Sequence, residues 1–398
     1  MRVDLSFAQV VDAVATEIEE RLPGYLRRQP LRCMGKQFAE PCRQIARVWG
    51  LPLEVVSDEC ALNAVDRYLR DRLAEAGAQE LESADDRQLA AFRVQCAAKR
   101  ETARSKVAAL PHRLERLTVA RAPHLRCASV GHGEPAVVIL NAFGQTLTPW
   151  LPLIERLSRR RRVLLWRLRE TGASGGPVTF VEQCDDLDAI VTQERARPCQ
   201  LIGWCTGAKL AARYCRMQPG AVDSLVLLGG SFKHPGRSPE FDTAYERNLE
   251  AMLQAVVREP SLAERLRLVL ARTAGSEADL DRMSAEALAH HALTCVPEGL
   301  KRDVRHPFRD AAALLVYARQ HLDFWSHDET TTAPETWVPT LGVAGEYDRI
   351  VSPVGFRAVV AQFPVSRFRT VAATTHYCFY ERPDAVADLV EEWTGTAQ

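Results

Sequence analysis

The amino-acid sequence predicts an α/β protein in which a mainly parallel sheet follows a helical N-terminal region. In the first part of the chain, apolar residues recur at the spacing of amphipathic helices. Beyond Pro111, short apolar runs alternate with helical segments, which is typical of a parallel sheet. One long stretch between two such runs returns to helical spacing. We therefore expect a helical region over residues 1–113 and a sheet domain over residues 114–398, with a helical insertion over residues 231–334.

The N-terminal region should consist of helices that prolines separate. Its first helix has an apolar face formed by Phe7, Val10, Val11, Val14, Ile18 and Leu22. Further helices should be short, because prolines at positions 23, 30, 41 and 52 interrupt the chain. A longer helix is expected after Pro52, with Val55 and Tyr68 on its apolar face and a stop at Gly77. A polar helix should then cover residues 85–107.

The sheet domain contains six apolar runs that are short enough to be buried strands. They lie at residues 136–141, 163–168, 199–203, 224–229, 340–344 and 368–372. Two weaker runs, residues 117–120 and 125–130, come earlier and predict an antiparallel hairpin at the start of the sheet.

The composition excludes several classes of function. Hydrophobic residues make up 46% and charged residues 26% of the 398 residues, as in a folded globular protein. Lys plus Arg and Asp plus Glu both number 51, so the chain has no excess of positive charge that would favour binding to nucleic acid. No apolar stretch approaches the length of about 18 residues that spans a membrane, and we expect a soluble, cytoplasmic protein. The 11 cysteines are scattered without a Cys-x-x-Cys pair, so we expect no structural metal site. We also expect no cofactor.

A candidate nucleophile lies where the run at residues 199–203 passes directly into a helix-forming sequence. The connection reads Gly203-Trp204-Cys205-Thr206-Gly207. Such a sharp turn exposes the central side chain, and its glycines let strand and helix approach closely. The helix N-terminus would stabilise negative charge on the thiol. A buried cysteine at a helix start is the alternative interpretation of the same five residues.

Two further segments, together with this turn, resemble the α/β-hydrolase fold over residues 117–393. One is the apolar run and turn that end at Gly144, although Asn141-Ala142 replaces the usual His-Gly. The other is the Arg-x-x-Gly-x-Ser pattern of Arg169, Gly172 and Ser174. The resemblance implies an oxyanion hole formed by the backbone amides of Phe143 and Thr206.

The same resemblance implies a histidine base and an acid beyond later strand ends. His376 directly follows the last apolar run, and Asp348 follows the run at residues 340–344. We therefore expect His376 to activate Cys205 and Asp348 to orient His376. Glu346 shares the turn with Asp348 and is the competing candidate for the acid.

Among cysteine enzymes of this fold, the Gly-Trp-Cys-Thr-Gly turn and the helical insertion are most similar to the tetramate-forming Dieckmann cyclases. Polyhydroxyalkanoate synthases and dienelactone hydrolases resemble the chain less. The similarity implies a Cys205 thioester that receives a polyketide or peptide chain from the phosphopantetheine of an acyl or peptidyl carrier protein, and cyclises it by carbon–carbon bond formation. Two alternatives remain open: a thioesterase, acyltransferase or hydrolase acting on small esters or coenzyme A thioesters, and a binding protein without turnover.

Two groups of residues have both a functional and a structural interpretation. Aromatic and histidine side chains near the end of the insertion would line an acyl pocket or would pack a helix on the core; they are Tyr317, His321, Phe324, Trp325 and His327. We assign Trp325 and His327 to the possible pocket. Basic residues at 159–162 and at Lys99, Arg100 and Arg104 would meet an acidic carrier protein or would form solvated helix faces.

Overall fold

The computed structural model describes residues 5–76, 84–120, 122–170, 178–275, 278–330 and 338–396. Its helices, in chain order, are α1 (Ser6–Arg21), α2 (Tyr25–Arg28), α3 (Lys36–Trp49), α4 (Ala64–Glu75), α5 (Asp86–Arg113), α6 (Leu151–Leu157), α7 (Phe180–Gln193), α8 (Thr206–Met217), α9 (Ala244–Arg258), α10 (Ala263–Ala274), α11 (Ala285–Thr294), α12 (Lys301–Val304), α13 (Ala311–Ser326), α14 (Pro353–Val360), α15 (Cys378–Glu381) and α16 (Pro383–Thr396). Its strands are β1 (Leu31–Met34), β2 (Leu53–Val56), β3 (Glu115–Leu117), β4 (Cys127–Val130), β5 (Val137–Leu140), β6 (Val163–Trp166), β7 (Cys199–Trp204), β8 (Val222–Leu228), β9 (Thr340–Gly345) and β10 (Ser366–Val371).

The chain forms two compact units. The first contains Met1–Ala108 and Ser276–Lys301, and the second contains Ala109–Gly275 and Arg302–Gln398. The expected boundary near residue 113 lies close to the first of these divisions. The middle of the expected insertion differs, because Ser276–Lys301 clusters with the N-terminal helices: α11 packs against α1 and α4.

The first unit is built on helices, with one small sheet. The apolar face of α1 is buried as expected, and the described side chains include Phe7, Val11 and Ile18. The sequence predicted only helices and turns here, and this was wrong for β1 and β2. These two strands form a parallel pair in which Leu31 lies opposite Leu53. Each strand has only four residues, with one charged residue among three apolar ones, so periodicity could not distinguish a strand from a helix turn.

Two helix boundaries in this unit also differ from expectation. Pro41 lies inside α3, whose buried residues Phe38, Cys42 and Ile45 continue one face across it. The helix expected after Pro52 begins only at α4, where the Asn63 side chain and the Asp66 side chain cap each other's backbone amides at 3.0 and 2.9 Å. The expected stop at Gly77 lies outside the described residues.

The second unit contains an eight-stranded sheet in the order β10-β9-β8-β7-β5-β6-β4-β3. The pairs from β10 to β6 are parallel, whereas β4 is antiparallel to both β6 and β3. The six expected strands and the antiparallel hairpin are confirmed. Every residue of β5 and β7 is buried, as central strands covered on both faces require.

The stretch between β8 and β9 holds the helices α9 to α13, and its described residues form no strand. β8 and β9 are neighbours in the sheet, so this stretch is an insertion between adjacent strands. The fold class expected from the sequence is therefore confirmed. Within the described ranges, none of the helices combines the length and apolar character needed to cross a membrane.

A buried lysine joins α8 to the inserted helices. Lys209 Nζ donates hydrogen bonds to the carbonyl oxygens of Phe324 at 2.8 Å and Lys233 at 3.0 Å. It also lies 4.3 Å from the centre of the Phe324 ring. Burial removes the hydration of the ammonium group and lowers the pKa of Lys209 from 10.5 to about 7.

This pKa makes the contribution of Lys209 to stability depend on pH. Between about pH 7 and 10.5 the unfolded chain carries a proton on Lys209 that the folded chain lacks, so folding becomes more favourable as pH rises. Replacing Lys209 with Met should remove this dependence. The free energy of unfolding of the wild type, minus that of the variant, should rise by up to about 1.4 kcal/mol per pH unit.

Urea unfolding between pH 7 and 9.5 measures this difference. Lys106 is exposed, and Lys106→Met serves as the control. A difference for Lys209→Met that stays constant with pH would show that its ammonium group keeps an ordinary pKa.

Candidate active site

Cys205 occupies a strained turn between β7 and α8. Its φ is 52° and its ψ is −115°, which is unfavourable for a residue with a Cβ. Backbone hydrogen bonds hold this conformation: Cys205 N–H donates to Leu228 O at 3.0 Å, and Cys205 O accepts from Ser231 N at 3.1 Å. The turn is therefore secured by the end of β8 and the residues that follow it.

The two glycines of the turn are needed for the close approach of α8 to the sheet. A Cβ on Gly203 would lie 2.5 Å from Gly207 O and 2.7 Å from the Cα of Ala208. A Cβ on Gly207 would overlap the backbone of Leu140 at the end of β5. Both glycines thus have the role expected from the sequence, because any side chain would push the helix away from the strands.

His376 and Asp348 meet beyond the ends of β10 and β9. His376 Nδ1 lies 2.8 Å from Asp348 Oδ2, and both side chains are buried. The other Asp348 oxygen accepts from the backbone amides of Ile350 at 2.9 Å and Val351 at 3.0 Å. Since a carboxylate only accepts, Nδ1 carries the proton and Nε2 is directed elsewhere.

The competing acid, Glu346, has a different partner. Its Oε2 accepts from the backbone amide of Ala373 at 2.8 Å. This bond ties the turn after β9 to the end of β10. Of the two acids in this turn, Asp348 is the one bonded to His376.

Cys205 and His376 line the same pocket. Burial by itself lowers the pKa of His376, but the charges of Asp348 and then Cys205 outweigh burial and raise it from 6.5 to about 10. Cys205 raises the pKa of His376 through its charge first and through a side-chain interaction second. The arrangement places a strongly basic imidazole in the pocket of the candidate nucleophile.

The turn expected to form the oxyanion hole is held by Asn141, which stands where the fold usually has histidine. Its side-chain amide donates to Gln145 O at 3.0 Å and Thr146 O at 2.9 Å, and its Oδ1 accepts from Trp150 Nε1 at 2.9 Å. The backbone amide of Phe143, however, donates to the Thr206 hydroxyl at 3.0 Å. The sequence predicted a role for the backbone of Thr206 and gave no sign of this side-chain contact.

The pocket over Cys205 has apolar walls with several polar groups. Trp325 lies there as expected, and its Nε1 is buried without a hydrogen-bond partner in the part of the chain that the structure describes. His327 does not line the pocket; it follows the end of α13 and its ring lies 5.2 Å from that of Phe180. Phe324 also packs into the core, against Phe143.

Three tyrosines line this pocket: Tyr245 on α9, Tyr317 on α13 and Tyr377 beside the base. Of these, only Tyr317 was considered a pocket candidate from the sequence. Burial raises the pKa of each phenol, so all three stay neutral and can donate. Burial also lowers the pKa of His321 to about 3. His321 Nδ1 lies 3.2 Å from Tyr317 O, which leaves Nε2 as an acceptor. Nothing in the sequence marked Tyr245, which is far from the other site residues along the chain.

The basic residues considered for docking make ion pairs within their own units. Arg159, Arg160 and Arg162 pair with Glu155, Glu391 and Glu194, and Arg161 donates to a backbone carbonyl. Arg100 pairs with Asp12, and Arg104 with Glu20. Contact with a carrier protein stays a prediction.

Arg169 makes two hydrogen bonds to Asp186, at 2.6 and 2.9 Å. Gly172 and Ser174, which belong to the same sequence pattern, lie outside the described residues. No group of three or more His, Cys, Asp or Glu side chains suited to a metal ion occurs within the described ranges.

Comparisons with known proteins bear on the fold of the chain. Over 97 residues the chain is 32% identical to the pimeloyl-(acyl-carrier protein) methyl ester esterase of Methylococcus capsulatus, which covers 24% of this chain and only 37% of that relative's length. Over 270 residues it is 26% identical to the esterase of the same name from Xanthomonas campestris pv. campestris, covering 66% of this chain and 96% of that one.

A solved structure, the bromoperoxidase from Bacillus anthracis, matches with a TM-score of 0.54 and 17% identity, over 71% of this chain and 99% of that chain. At this identity the likeness is one of fold alone. Residues 135–383 match the family model described as alpha/beta hydrolase fold. This match covers more than half of the chain, so the chain belongs to the alpha/beta hydrolase fold family.

Proposed function

We propose that this enzyme releases acyl groups from esters or thioesters through a covalent thioester on Cys205. The observation that carries the proposal is the buried His376–Asp348 pair, which shares one pocket with Cys205 at a strained turn. This arrangement matches the nucleophile, base and orienting acid of acyl-transfer enzymes. The relatives named as esterases support a hydrolytic outcome.

In the first step the Cys205 thiolate attacks the acyl carbon and forms a C–S bond, while the carbonyl π pair moves to oxygen. The oxyanion then collapses and the bond to the leaving group breaks. His376 Nε2 gives that group its proton, because Asp348 holds the proton on Nδ1. In the second step His376 takes a proton from water while the water oxygen forms a C–O bond to the acyl carbon. The tetrahedral intermediate then collapses and the C–S bond breaks, which releases the carboxylic acid and restores the Cys205 thiolate beside the protonated His376.

We propose a carrier-bound acyl thioester as the donor. The relatives are named for esters on an acyl-carrier protein, which is support by analogy. Exchange between a pantetheine thioester and a cysteine thioester replaces one C–S bond with another of similar energy. A cysteine nucleophile therefore loads readily from such a donor.

Cyclisation is the second candidate, and the polar groups of the pocket favour it. The hydroxyls of Tyr245, Tyr317 and Tyr377 have no hydrogen-bond partner in the described chain, and neither has Trp325 Nε1. Such donors suit an acyl chain that carries several carbonyl oxygens better than a hydrocarbon chain. In this reaction His376 would take a proton from an activated carbon within the chain. The carbanion would then attack the thioester carbon, form a C–C bond and expel the Cys205 thiolate.

The proposed covalent thioester on Cys205 can be detected directly. Wild-type enzyme mixed with an octanoyl or an aminoacyl 3-oxoacyl N-acetylcysteamine thioester should gain the mass of one acyl group at Cys205, measured by intact-protein mass spectrometry. Cys205→Ala should abolish loading and turnover. Cys60 is exposed and distant in sequence, so Cys60→Ala is the control and should behave as the wild type.

The products separate the two candidates. Linear acid in a Cys205-dependent reaction indicates hydrolysis, whereas a cyclic product that forms only with enzyme indicates cyclisation. Unchanged turnover in Cys205→Ala would exclude the covalent mechanism.

The proposed role of Asp348 can be tested through the pH dependence of acylation. The charge of Asp348 helps to raise the pKa of His376 to about 10, so the imidazolium that serves the thiolate persists until alkaline pH. Asp348→Asn removes this charge, lowers the pKa of His376 and should slow acylation about 10²-fold to 10⁴-fold. The alkaline limb of the acylation profile should move to lower pH.

Stopped-flow acylation between pH 5 and 10.5 measures both effects. Glu346→Gln is the matched control, since Glu346 lies in the same turn and bonds Ala373 instead. If Glu346→Gln moves the limb and Asp348→Asn does not, the roles of the two acids are reversed.

A further inference from the structure

Thr206 directly follows the candidate nucleophile, and its side chain lines the same pocket. Its hydroxyl oxygen accepts the Phe143 amide hydrogen at 3.0 Å. Both residues line the pocket with Cys205, and Thr206 is only 2% exposed. The amide expected to serve the oxyanion directly is therefore already bonded to a side chain.

The hydroxyl proton of Thr206 is still available. The oxygen accepts from Phe143, and the hydroxyl has no acceptor in the described parts of the chain. A hydroxyl that accepts from an amide directs its own proton away from that amide, and both residues line the pocket in which a substrate could accept this proton. The bond from Phe143 also polarises the O–H group and makes it a stronger donor.

The backbone of Thr206 adds a second donor at the same place. Thr206 is the first residue of α8, and amides in a first helix turn have no acceptor within the helix. The helix N-terminus also favours negative charge. One residue thus presents an N–H and an O–H beside the sulfur that attacks the substrate.

We infer that the Thr206 hydroxyl is a catalytic oxyanion donor, polarised from behind by the Phe143 amide. This inference rests on the proposed acylation of Cys205. The hole then consists of the Thr206 N–H and O–H, with Phe143 one hydrogen bond further back. The opposite arrangement, in which the hydroxyl blocks the Phe143 amide and must move away, makes the opposite prediction for a variant without the hydroxyl.

The test compares Thr206→Val, which keeps the shape and loses the hydroxyl, with Thr206→Ser, which keeps the hydroxyl. The rate of acylation by octanoyl N-acetylcysteamine thioester is measured by stopped flow at saturating thioester. Thr206→Val should lose about 10²-fold to 10³-fold in this rate, as removal of one oxyanion donor does elsewhere. Thr206→Ser should stay within about fivefold of the wild type, because the same donor remains.

Alkylation of Cys205 by iodoacetamide is the control reaction. It displaces iodide from a saturated carbon and forms no oxyanion, so its rate should be the same in all three proteins. A trifluoromethyl ketone provides an equilibrium readout, since its adduct with Cys205 carries an oxyanion. Thr206→Val should weaken its affinity by a factor similar to the loss in acylation rate.

Each outcome has a distinct meaning. Equal or faster acylation in Thr206→Val overturns the inference and indicates that the hydroxyl blocks Phe143. Equal loss in acylation and alkylation also overturns it, because Thr206 would then only shape the turn. If the wild type is alkylated at Cys205 and never acylated by the thioester, the proposed function fails and this inference fails with it.

Discussion

The close approach of α8 to the sheet is the constraint on which the rest of the site depends. Glycine at positions 203 and 207 permits it, because a side chain at either would overlap the backbone opposite. The approach forces Cys205 to a positive φ and turns its side chain out of the strand. The stored strain is offset by hydrogen bonds to Leu228 and Ser231. The nucleophile is thus fixed before any substrate arrives.

The remaining groups reach Cys205 because parallel strands end at one edge of the sheet. Residues far apart in sequence, such as Phe143, Asp348 and His376, meet there after β5, β9 and β10. The ionisable groups around Cys205 are of two kinds. His376 is stabilised as a cation by Asp348, whereas burial keeps the tyrosines and His321 neutral. The neutral tyrosines and His321 therefore give the pocket uncharged hydrogen-bonding groups, beside the carboxyl group of Glu246.

Sequence reasoning succeeded where a residue type and its position in a strand pattern agreed. Cys205, Asp348 and His376 each follow an apolar run, so their meeting could be predicted although their catalytic roles still require experiment. It failed where the determining contact is distant in sequence or involves a side-chain rotamer. The bond from Phe143 to the Thr206 hydroxyl is of this kind, as is the place of Tyr245 in the pocket. The four-residue strands β1 and β2 were too short for periodicity to identify.

The assignment of Ser276–Lys301 to the first unit means that the chain passes between its two units three times. Neither unit is a continuous segment, so neither can be inherited or transferred by a single cut in the coding sequence. A shortened protein that starts at residue 109 would retain α11 and lose the helices α1 and α4 that cover it. Leu288 and Leu293, now buried, would face water and promote aggregation. An exchange of the first unit of this chain would therefore have to move both of its pieces together.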